Sequence, residues 1–266
     1  MKQYTVGMIG CGNMGSALVC AAGKALPSIS IAICDHHEDR LQAVARDTGA
    51  VFTAATDVAA SSDFVVLGVK PKGLRDTVRE IASALLENPA AVLVSMAAGV
   101  EISALLSCVG RDIPVIRIMP NTPVAVGAGM ILYTPSEGVT AEREAEFLRI
   151  FSAAGRLIRI EEREMDAATA VAGCGPAFAY LFAEALADGG VECGIPRERA
   201  ALYAAEMLHG AAEMLLSYGH PADLKDAVCS PGGSTIAGVH ALERGGFRAS
   251  VMDAVTAAYD KTRQLK

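Results

Sequence analysis

The chain has 266 residues, of which 52% are hydrophobic and 20% are charged, and its formal net charge is -7. This composition excludes intrinsic disorder and predicts a soluble globular protein with a large core or two domains. The net charge is acidic and the sequence shows no cluster of Lys and Arg, so neither a nucleic acid nor an anionic membrane is expected as a partner.

The first part of the chain alternates short β-rich runs with helical stretches, the pattern of a doubly wound α/β fold. Two later β-rich runs flank a predicted helix that begins near Thr140, with Glu142 and Glu144 in its first turn. The sheet is therefore expected to continue to about residue 160. The predicted strands are 5–9, 29–34, 64–69, 91–96, 115–119, 130–133 and 156–160.

The chain changes character from about Glu164, where alanine, leucine and methionine dominate and strand-like runs disappear. Helices are predicted within 165–191, 196–218 and 233–263. They are apolar around their circumference, and a small helical domain rarely has an interior large enough to hide so much surface. Burial against a second copy of the chain is the economical explanation, so a homodimer or larger assembly is expected. The domain limits are predicted at 1–162 and 163–266.

A glycine-rich segment, Gly10-Cys-Gly-Asn-Met-Gly15, follows the first predicted strand and opens a helix. In a strand–helix–strand unit of this size, such glycines permit a tight turn, close approach of a pyrophosphate, and close packing of helix on strand. The segment predicts a Rossmann-type domain for NADPH or NADH, with Gly10, Gly12, Asn13 and Met14 at the cofactor.

Asp35 ends the second predicted strand, where a carboxylate accepts from the ribose 2′-hydroxyl of NADH and repels the 2′-phosphate of NADPH. His36, His37 and Arg40 follow it directly and offer either a phosphate cradle or an ordinary solvated turn. The sequence leaves the choice between the two nicotinamides open.

Further candidate cofactor residues follow three other strands, at the edge of the sheet where such folds bind ligands. A lysine in such a place is more often merely solvated, and the prolines that flank Asn121 suit a plain loop as well as the wall of a site. The candidates are Val69, Lys70, Pro71, Ala97, Ala98, Gly99 and Asn121.

Pro231, Gly232 and Gly233 make a tight turn before another apolar helical run, and Ser234 or Thr235 is predicted to cap that helix. The amide hydrogens of the first turn would then point outward. Such a helix end binds anions.

These segments together resemble the pyrroline-5-carboxylate reductase family over nearly the whole chain. The resemblance implies reduction of a cyclic imine carboxylate to L-proline by NAD(P)H, the last step of proline biosynthesis, with interleaved helical domains and the active site between subunits. Its most specific element is Asp226–Ile236. The matching segments are Gly10–Gly15, Val69–Pro71, Ala98–Gly99, Arg117–Pro123, Gly173–Phe178 and Ser230–Glu243.

The resemblance implies that residues 163–266 bind substrate as well as dimerise. The substrate carboxylate would lie on the amides after Pro231 and on the hydroxyls of Ser230 and Thr235, the two residues expected to be catalytic. Thr235 would hydrogen-bond the ring nitrogen, in a positioning role or as proton donor. The implied substrate-binding residues are Ser230, Gly232, Gly233, Ser234 and Thr235.

The chain departs from the family at Cys174, Phe178 and Ala55, where serine, tyrosine and asparagine are frequent. Pro176 indicates either a helix kink or, with its neighbouring glycines, a close approach to a ligand.

Two other functions stay open at this point. A β-hydroxyacid dehydrogenase typically needs a lysine in the long helix, and 166–188 contains none; a non-catalytic nucleotide sensor has no use for the anion site.

Seven scattered cysteines, odd in number and without a C-x-x-C pair, indicate a reduced, cytoplasmic protein. The cysteines and histidines also lack the spacing of metal ligands, so no metal site is expected. The N-terminus runs directly into a strand pattern, and no apolar run reaches membrane-spanning length without Gly, Pro or charge.

Overall fold

A computed structural model describes residues 4–25 and 30–265. Within them, eight strands form one sheet, and its run to residue 159 agrees with the predicted end. The first residue of the predicted second strand, residue 29, lies outside the described residues. The strands are β1 (Tyr4–Ile9), β2 (Ile31–Cys34), β3 (Val51–Phe52), β4 (Ser62–Leu67), β5 (Val92–Ser95), β6 (Val115–Pro120), β7 (Gly129–Pro135) and β8 (Gly155–Arg159).

Twelve α-helices accompany the sheet in the described part of the chain, together with short 3₁₀ turns and one π-helical turn, Thr169–Gly173. The helices are α1 (Asn13–Ala25), α2 (Glu38–Thr48), α3 (Ala55–Ser61), α4 (Pro71–Glu87), α5 (Ile102–Val109), α6 (Ala141–Ile150), α7 (Met165–Ala168), α8 (Gly175–Glu192), α9 (Arg197–Tyr218), α10 (Pro221–Ala227), α11 (Ser234–Arg244) and α12 (Phe247–Arg263).

The strands lie in the order β3-β2-β1-β4-β5-β6-β7-β8, and all neighbouring pairs are parallel except β6 and β7. After β3 the chain crosses to the other half of the sheet, so the direction of the strand order reverses between the neighbouring strands β1 and β4. In open parallel sheets a ligand binds at the carboxyl ends of the strands beside this crossing point. The doubly wound prediction is confirmed, although the two-residue, exposed β3 was not predicted.

The sheet is buried on both faces, as β4 shows. Phe64 and Val66 belong to one core cluster with residues of α1, whereas Val65 and Leu67 belong to a second cluster with residues of α4. Successive side chains on a strand point to opposite faces, so a strand covered on both sides reads as an unbroken apolar run. Burying each such side chain stabilises the fold by about 1.5–3 kcal/mol.

The helix α6 begins where the sequence predicted it. Thr140 is its N-cap and accepts from the backbone N–H of Arg143 at 3.3 Å. Glu142 and Glu144 occupy the first turn, where carboxylates complement the helix dipole. Phe147 on its inner face packs in the sheet core, so a cap and one apolar stripe are enough to place this helix.

The chain divides into two compact units. One comprises the residues up to Gly173 together with those from Ala258 onward, and the other is Cys174–Ala257. The second unit exposes many large apolar side chains, among them Leu181 at 67% and Met252 at 69%. This surface agrees with the apolar helices expected from the sequence.

Three details of the helical half differ from the predictions. The helix expected over 165–191 is interrupted by the π-helical turn, so Pro176 lies in the first turn of α8 and does not kink a continuous helix. The helix expected over 233–263 ends at Arg244 and restarts at Phe247, because Gly246 adopts a φ of 74°. The short α10 was not predicted.

One helical stretch in the described residues, Glu162–Glu192, is long and apolar enough to cross a membrane. Length and composition are weak support for a span, because an apolar helix that packs against protein meets the same test.

Candidate active site

The glycine-rich loop between β1 and α1 takes the form that a dinucleotide requires. Gly10 has a φ of 97°, and a Cβ there would lie 2.8 Å from the carbonyl carbon of Gly68. A Cβ on Gly15 would lie 2.2 Å from the oxygen of Gly10, so the helix packs directly on the loop. A Cβ on Gly12, in contrast, would meet nothing within 4 Å. The open side at Gly12 fits a pyrophosphate held against the backbone.

Gly68 packs against this loop, a contact that was not predicted from the sequence. It follows β4 directly, and a Cβ on it would lie 2.3 Å from the oxygen of Gly10. Only glycine permits the two strand ends to approach so closely at the crossing point of the sheet. A glycine directly after the apolar run of residues 64–67 was the available signal.

Asp35 is tied to the glycine loop. Its Oδ2 accepts from the backbone N–H of Cys11 at 2.6 Å, and its Oδ1 accepts from the N–H of His37 at 2.8 Å. The Ser16 hydroxyl donates to the Cys11 carbonyl at 2.9 Å. Burial, together with the nearby Asp35 charge, raises the pKa of the Cys11 thiol to about 12. The carboxylate predicted to meet the ribose thus also orders the loop predicted to meet the pyrophosphate.

The segments after β4 and β5 lie at the same edge of the sheet. Lys70 is the exposed N-cap of α4, Pro71 is the first residue of that helix, and Val69 packs against the core below. In the described residues the Lys70 ammonium has no hydrogen-bond partner, so it is available to a ligand. Ala97 is buried, and its N–H donates to the Ser95 hydroxyl at 3.4 Å.

Gly99 is buried and has a φ of 73°. A Cβ on it would lie 3.1 Å from both the Cβ of Leu265 and the carbonyl oxygen of Thr262. The last turn of α12 and the residues after it therefore cover the loop of Ala98 and Gly99, a contact within the first unit that the sequence did not predict.

Both the oxygen and the nitrogen of the Asn121 side-chain amide form hydrogen bonds within the protein. Its Oδ1 accepts from the Met130 N–H at 2.8 Å, and its Nδ2 donates to the Ala172 carbonyl at 3.0 Å. The amide therefore joins the end of β6 to β7 and to the π-helical turn. Its predicted contact with the cofactor stays a prediction.

Arg117 is the largest fully buried side chain, with 1% exposure. Its guanidinium contacts Glu162 and Asp166, each at 3.2 Å. Glu162 also accepts from the Ile102 N–H at 2.8 Å, at the start of α5. These ion pairs join the centre of the sheet to the start of the helical region. This role was not predicted from the sequence, because the partners lie 45 and 49 residues away.

The predicted anion site is a tight turn that leads into α11. The Gly233 N–H donates to the Ser230 carbonyl at 3.0 Å, with Gly232 at a φ of 70°. Gly233 is the N-cap and has no side-chain cap bond, so the prediction that Ser234 or Thr235 caps the helix is wrong. Both residues lie inside the first turn.

The missing cap leaves the first turn of α11 open. Within the described part of the chain, the hydroxyls of Ser230, Ser234 and Thr235 have no protein partner, and all three residues are exposed. No side chain accepts from the first-turn amides either. A helix start with free amides and adjacent hydroxyls can bind a carboxylate.

The candidate residues fall into the two units. The glycine loop, Asp35, the strand ends and Asn121 belong to the first, and the Ser230–Thr235 turn belongs to the second. The described residues contain no group of three or more His, Cys, Asp or Glu able to hold a metal ion.

Comparisons with known proteins cover both regions. A family model described as pyrroline-5-carboxylate reductase dimerisation matches residues 162–265, and one described as NADP oxidoreductase coenzyme F420-dependent matches residues 5–99. A pyrroline-5-carboxylate reductase of Arabidopsis thaliana is 42% identical over 99% of this chain and 96% of its own length. The chain belongs to the pyrroline-5-carboxylate reductase family. The enzyme of that name from Escherichia coli (strain K12) is 40% identical over 99% of this chain and 98% of its own.

Solved structures agree with this family membership and with the predicted fold class. A pyrroline carboxylate reductase of Plasmodium falciparum with NADP bound superposes with a TM-score of 0.88, at 32% identity, over 100% of this chain and 99% of its own. A 3-hydroxyisobutyrate dehydrogenase of Mycobacterium tuberculosis has a TM-score of 0.53 at 14% identity, over 70% of this chain and 64% of its own. That second likeness shows a shared fold only. The resemblance to pyrroline-5-carboxylate reductases that the sequence suggested is thus confirmed.

Proposed function

We propose that this protein reduces 1-pyrroline-5-carboxylate to L-proline with NADPH or NADH, the last step of proline biosynthesis. The observation that carries the proposal is the 42% identity to a pyrroline-5-carboxylate reductase across 99% of the chain. A β-hydroxyacid dehydrogenase finds no comparable support, because its solved relative shares only the fold.

In this proposal the start of α11 binds the substrate carboxylate. Gly232 and Gly233 carry no side chain that would keep an anion from the backbone, and the first-turn amides carry the positive end of the helix dipole. The hydroxyls of Ser230, Ser234 and Thr235 add donors beside them. Because the whole chain has a net charge of -7, these local dipoles, and not the overall field, attract the substrate.

The cofactor-binding role belongs to the first unit. The backbone of Gly10, Gly12, Asn13 and Met14 would hold the pyrophosphate, and Asp35 the ribose of the adenosine half. The remaining candidates would line the nicotinamide half: Val69, Lys70, Pro71, Ala97, Ala98, Gly99 and Asn121. A reduced nicotinamide bound there would supply a hydride to the imine carbon.

The protein residues then need to hold and orient the substrate. As the hydride adds to the imine carbon, the C=N π electrons move onto the nitrogen, which already carries its proton when the imine is in the iminium form. Thr235 would keep the ring nitrogen in place by a hydrogen bond, and binding of the carboxylate would fix which carbon faces the hydride donor. Ser230 and Thr235 are therefore the proposed catalytic residues.

The direct experiment follows loss of NADH or NADPH absorbance with pyrroline-5-carboxylate and quantifies L-proline by chiral chromatography. We expect proline in a one-to-one ratio with oxidised cofactor. Folded protein that oxidises neither cofactor with this imine would refute the proposal. Activity with 3-hydroxyisobutyrate and NAD⁺ in its place would support the β-hydroxyacid dehydrogenase alternative.

We further propose that the protein works in the cytoplasm as a homodimer or an assembly of dimers, without a nucleic-acid or membrane partner. The match to a reductase dimerisation model over residues 162–265 and the exposed apolar side chains of the helical unit support self-association. Light scattering at micromolar protein should give at least the dimer mass. A monomer would contradict this assembly.

A further inference from the structure

We infer that the cofactor site of this chain selects NADH over NADPH and that Asp35 is the residue that selects. The inference deepens the proposed reductase function and rests on it. It rests on the hydrogen bonds of Asp35 and on the charges of the residues around it. The sequence alone left the choice of cofactor undecided.

The Asp35 carboxylate is fixed in place. Both of its oxygens accept backbone N–H groups, from Cys11 at 2.6 Å and from His37 at 2.8 Å. These two donors come from the glycine loop and from the turn before α2, so the side chain cannot rotate away without breaking both bonds. A carboxylate has about four lone-pair sites, which leaves acceptor capacity for ribose hydroxyls.

The neighbouring charges do not offset this carboxylate. Glu38 and Asp39 occupy the first turn of α2, and Arg40 follows them. With His36 and His37 counted as neutral, residues 35–40 contain three carboxylates and one guanidinium. The solvated-turn interpretation of these basic residues is therefore favoured over a phosphate cradle. A 2′-phosphate would meet a net negative surface.

The Asp35 charge also acts on two neighbouring thiols, although burial is the larger effect on both. Burial raises the pKa of Cys11 to about 12, and the Asp35 charge adds to the effect. The pKa of Cys34 is also raised, by burial first and then by the charges of Glu80 and Asp35. Ala55, at the start of α3, adds no polar side chain that could bind a phosphate.

One relative has been solved with the phosphorylated cofactor. The Plasmodium falciparum pyrroline carboxylate reductase, 32% identical, was solved with NADP bound. Family membership therefore does not dictate the choice of NADH, and the test must be made on this chain.

Isothermal titration calorimetry with NADH and with NADPH provides the test, because it measures binding without turnover. The wild type should bind NADH at least about tenfold more tightly, the effect of one hydrogen bond to a charged group. Asp35→Asn removes the charge but keeps an acceptor for the Cys11 N–H, and should reduce the NADPH-to-NADH ratio of Kd by about tenfold. Asp35→Ser should change the ratio in the same direction.

Asp47→Asn is the matched control. It removes the same charge from an exposed position in the last turn of α2, roughly 15 Å along the helix and beyond the Debye length in physiological salt. Its ratio of dissociation constants should equal that of the wild type.

Equal wild-type affinity for the two cofactors, or a tighter NADPH complex, would overturn the inference. So would an Asp35→Asn or Asp35→Ser ratio equal to that of Asp47→Asn. The wild-type ratio by itself tests the choice of NADH, even if both Asp35 variants fail to fold, and the variants test whether Asp35 makes that choice. Absence of binding by both cofactors would overturn the proposed reductase function as well, whereas NADPH-selective binding with proline formation would overturn the selectivity alone.

Discussion

The substitution Thr235→Ala tests the proposed chemistry at the start of α11. The Thr235 hydroxyl has no protein partner in the described structure, and the N-cap is Gly233 without a side-chain cap bond. Removing this hydroxyl therefore removes neither a cap nor an internal hydrogen bond. An exposed helical threonine has a helix propensity lower than that of alanine by several tenths of a kcal/mol. We expect the variant to be as stable as the wild type or slightly more stable.

The kinetic effect should be much larger. If the hydroxyl orients the charged iminium, its loss removes one hydrogen bond to a charged group, worth about 1.5–3 kcal/mol. This corresponds to a fall in kcat/KM for pyrroline-5-carboxylate of roughly ten- to a hundredfold. The affinity for NADH or NADPH should not change, because the proposed cofactor residues lie in the other unit.

Thermal melting, steady-state kinetics and cofactor titration are measured on the same preparation. Thr256→Ala is the control, because it makes the same chemical change at an exposed position of α12, where the hydroxyl donates only to the Met252 carbonyl within its own helix. A Thr235→Ala variant with unchanged kcat/KM would refute the catalytic role. A lowered melting temperature with unchanged kcat/KM would indicate a structural role instead.

Three further substitutions and one chemical treatment test the first unit. Gly12→Ala should weaken cofactor binding in calorimetry and leave the melting temperature unchanged, because its Cβ enters open space. Gly15→Ala should lower both the cofactor affinity and the melting temperature, because its Cβ would lie 2.2 Å from a backbone oxygen. Equal behaviour of the two variants would contradict the loop assignment. Arg117→Met should reduce the free energy of unfolding by about 3–5 kcal/mol, because it removes the buried counter-ion of two carboxylates. The melting temperature, measured by calorimetry, should fall by on the order of 10 °C. An unchanged melting temperature would argue against a stabilising role of the ion pairs. Iodoacetamide at neutral pH should modify exposed Cys193 and spare buried Cys11, as mass spectrometry would report, because burial and then Asp35 raise the Cys11 pKa to about 12. With the folded pKa raised, the stabilisation from the neutral Cys11 thiol is complete below its unfolded pKa and should be lost as the pH rises toward 12; early Cys11 labelling would contradict its burial.

Local patterns were sufficient for the architecture and for the family. A strand buried on both faces, such as β4, must be apolar throughout, and a helix such as α6 needs a cap and one apolar stripe, so both can be recognised within about ten residues. The glycine loop was equally predictable, because the backbone conformation at Gly10 and the close packing at Gly15 exclude other side chains. The order of these segments and the Asp226–Ile236 signature were sufficient to indicate the family.

Contacts between distant residues decided the rest. Asp35 meets the loop at Cys11 across 24 residues, and Arg117 meets Asp166 across 49. A sequence pattern shows that such groups exist but not which partners they face, because pairing depends on how the strands order themselves in the sheet. The cap of α11 was mispredicted for a related reason: Ser234 and Gly233 both suit a helix start, and the backbone turn from Ser230 selects between them. Sequence alone determined the fold class and the family and indicated candidate site residues, whereas the tertiary structure decided which side chains are already committed to internal bonds and which are left available to a ligand.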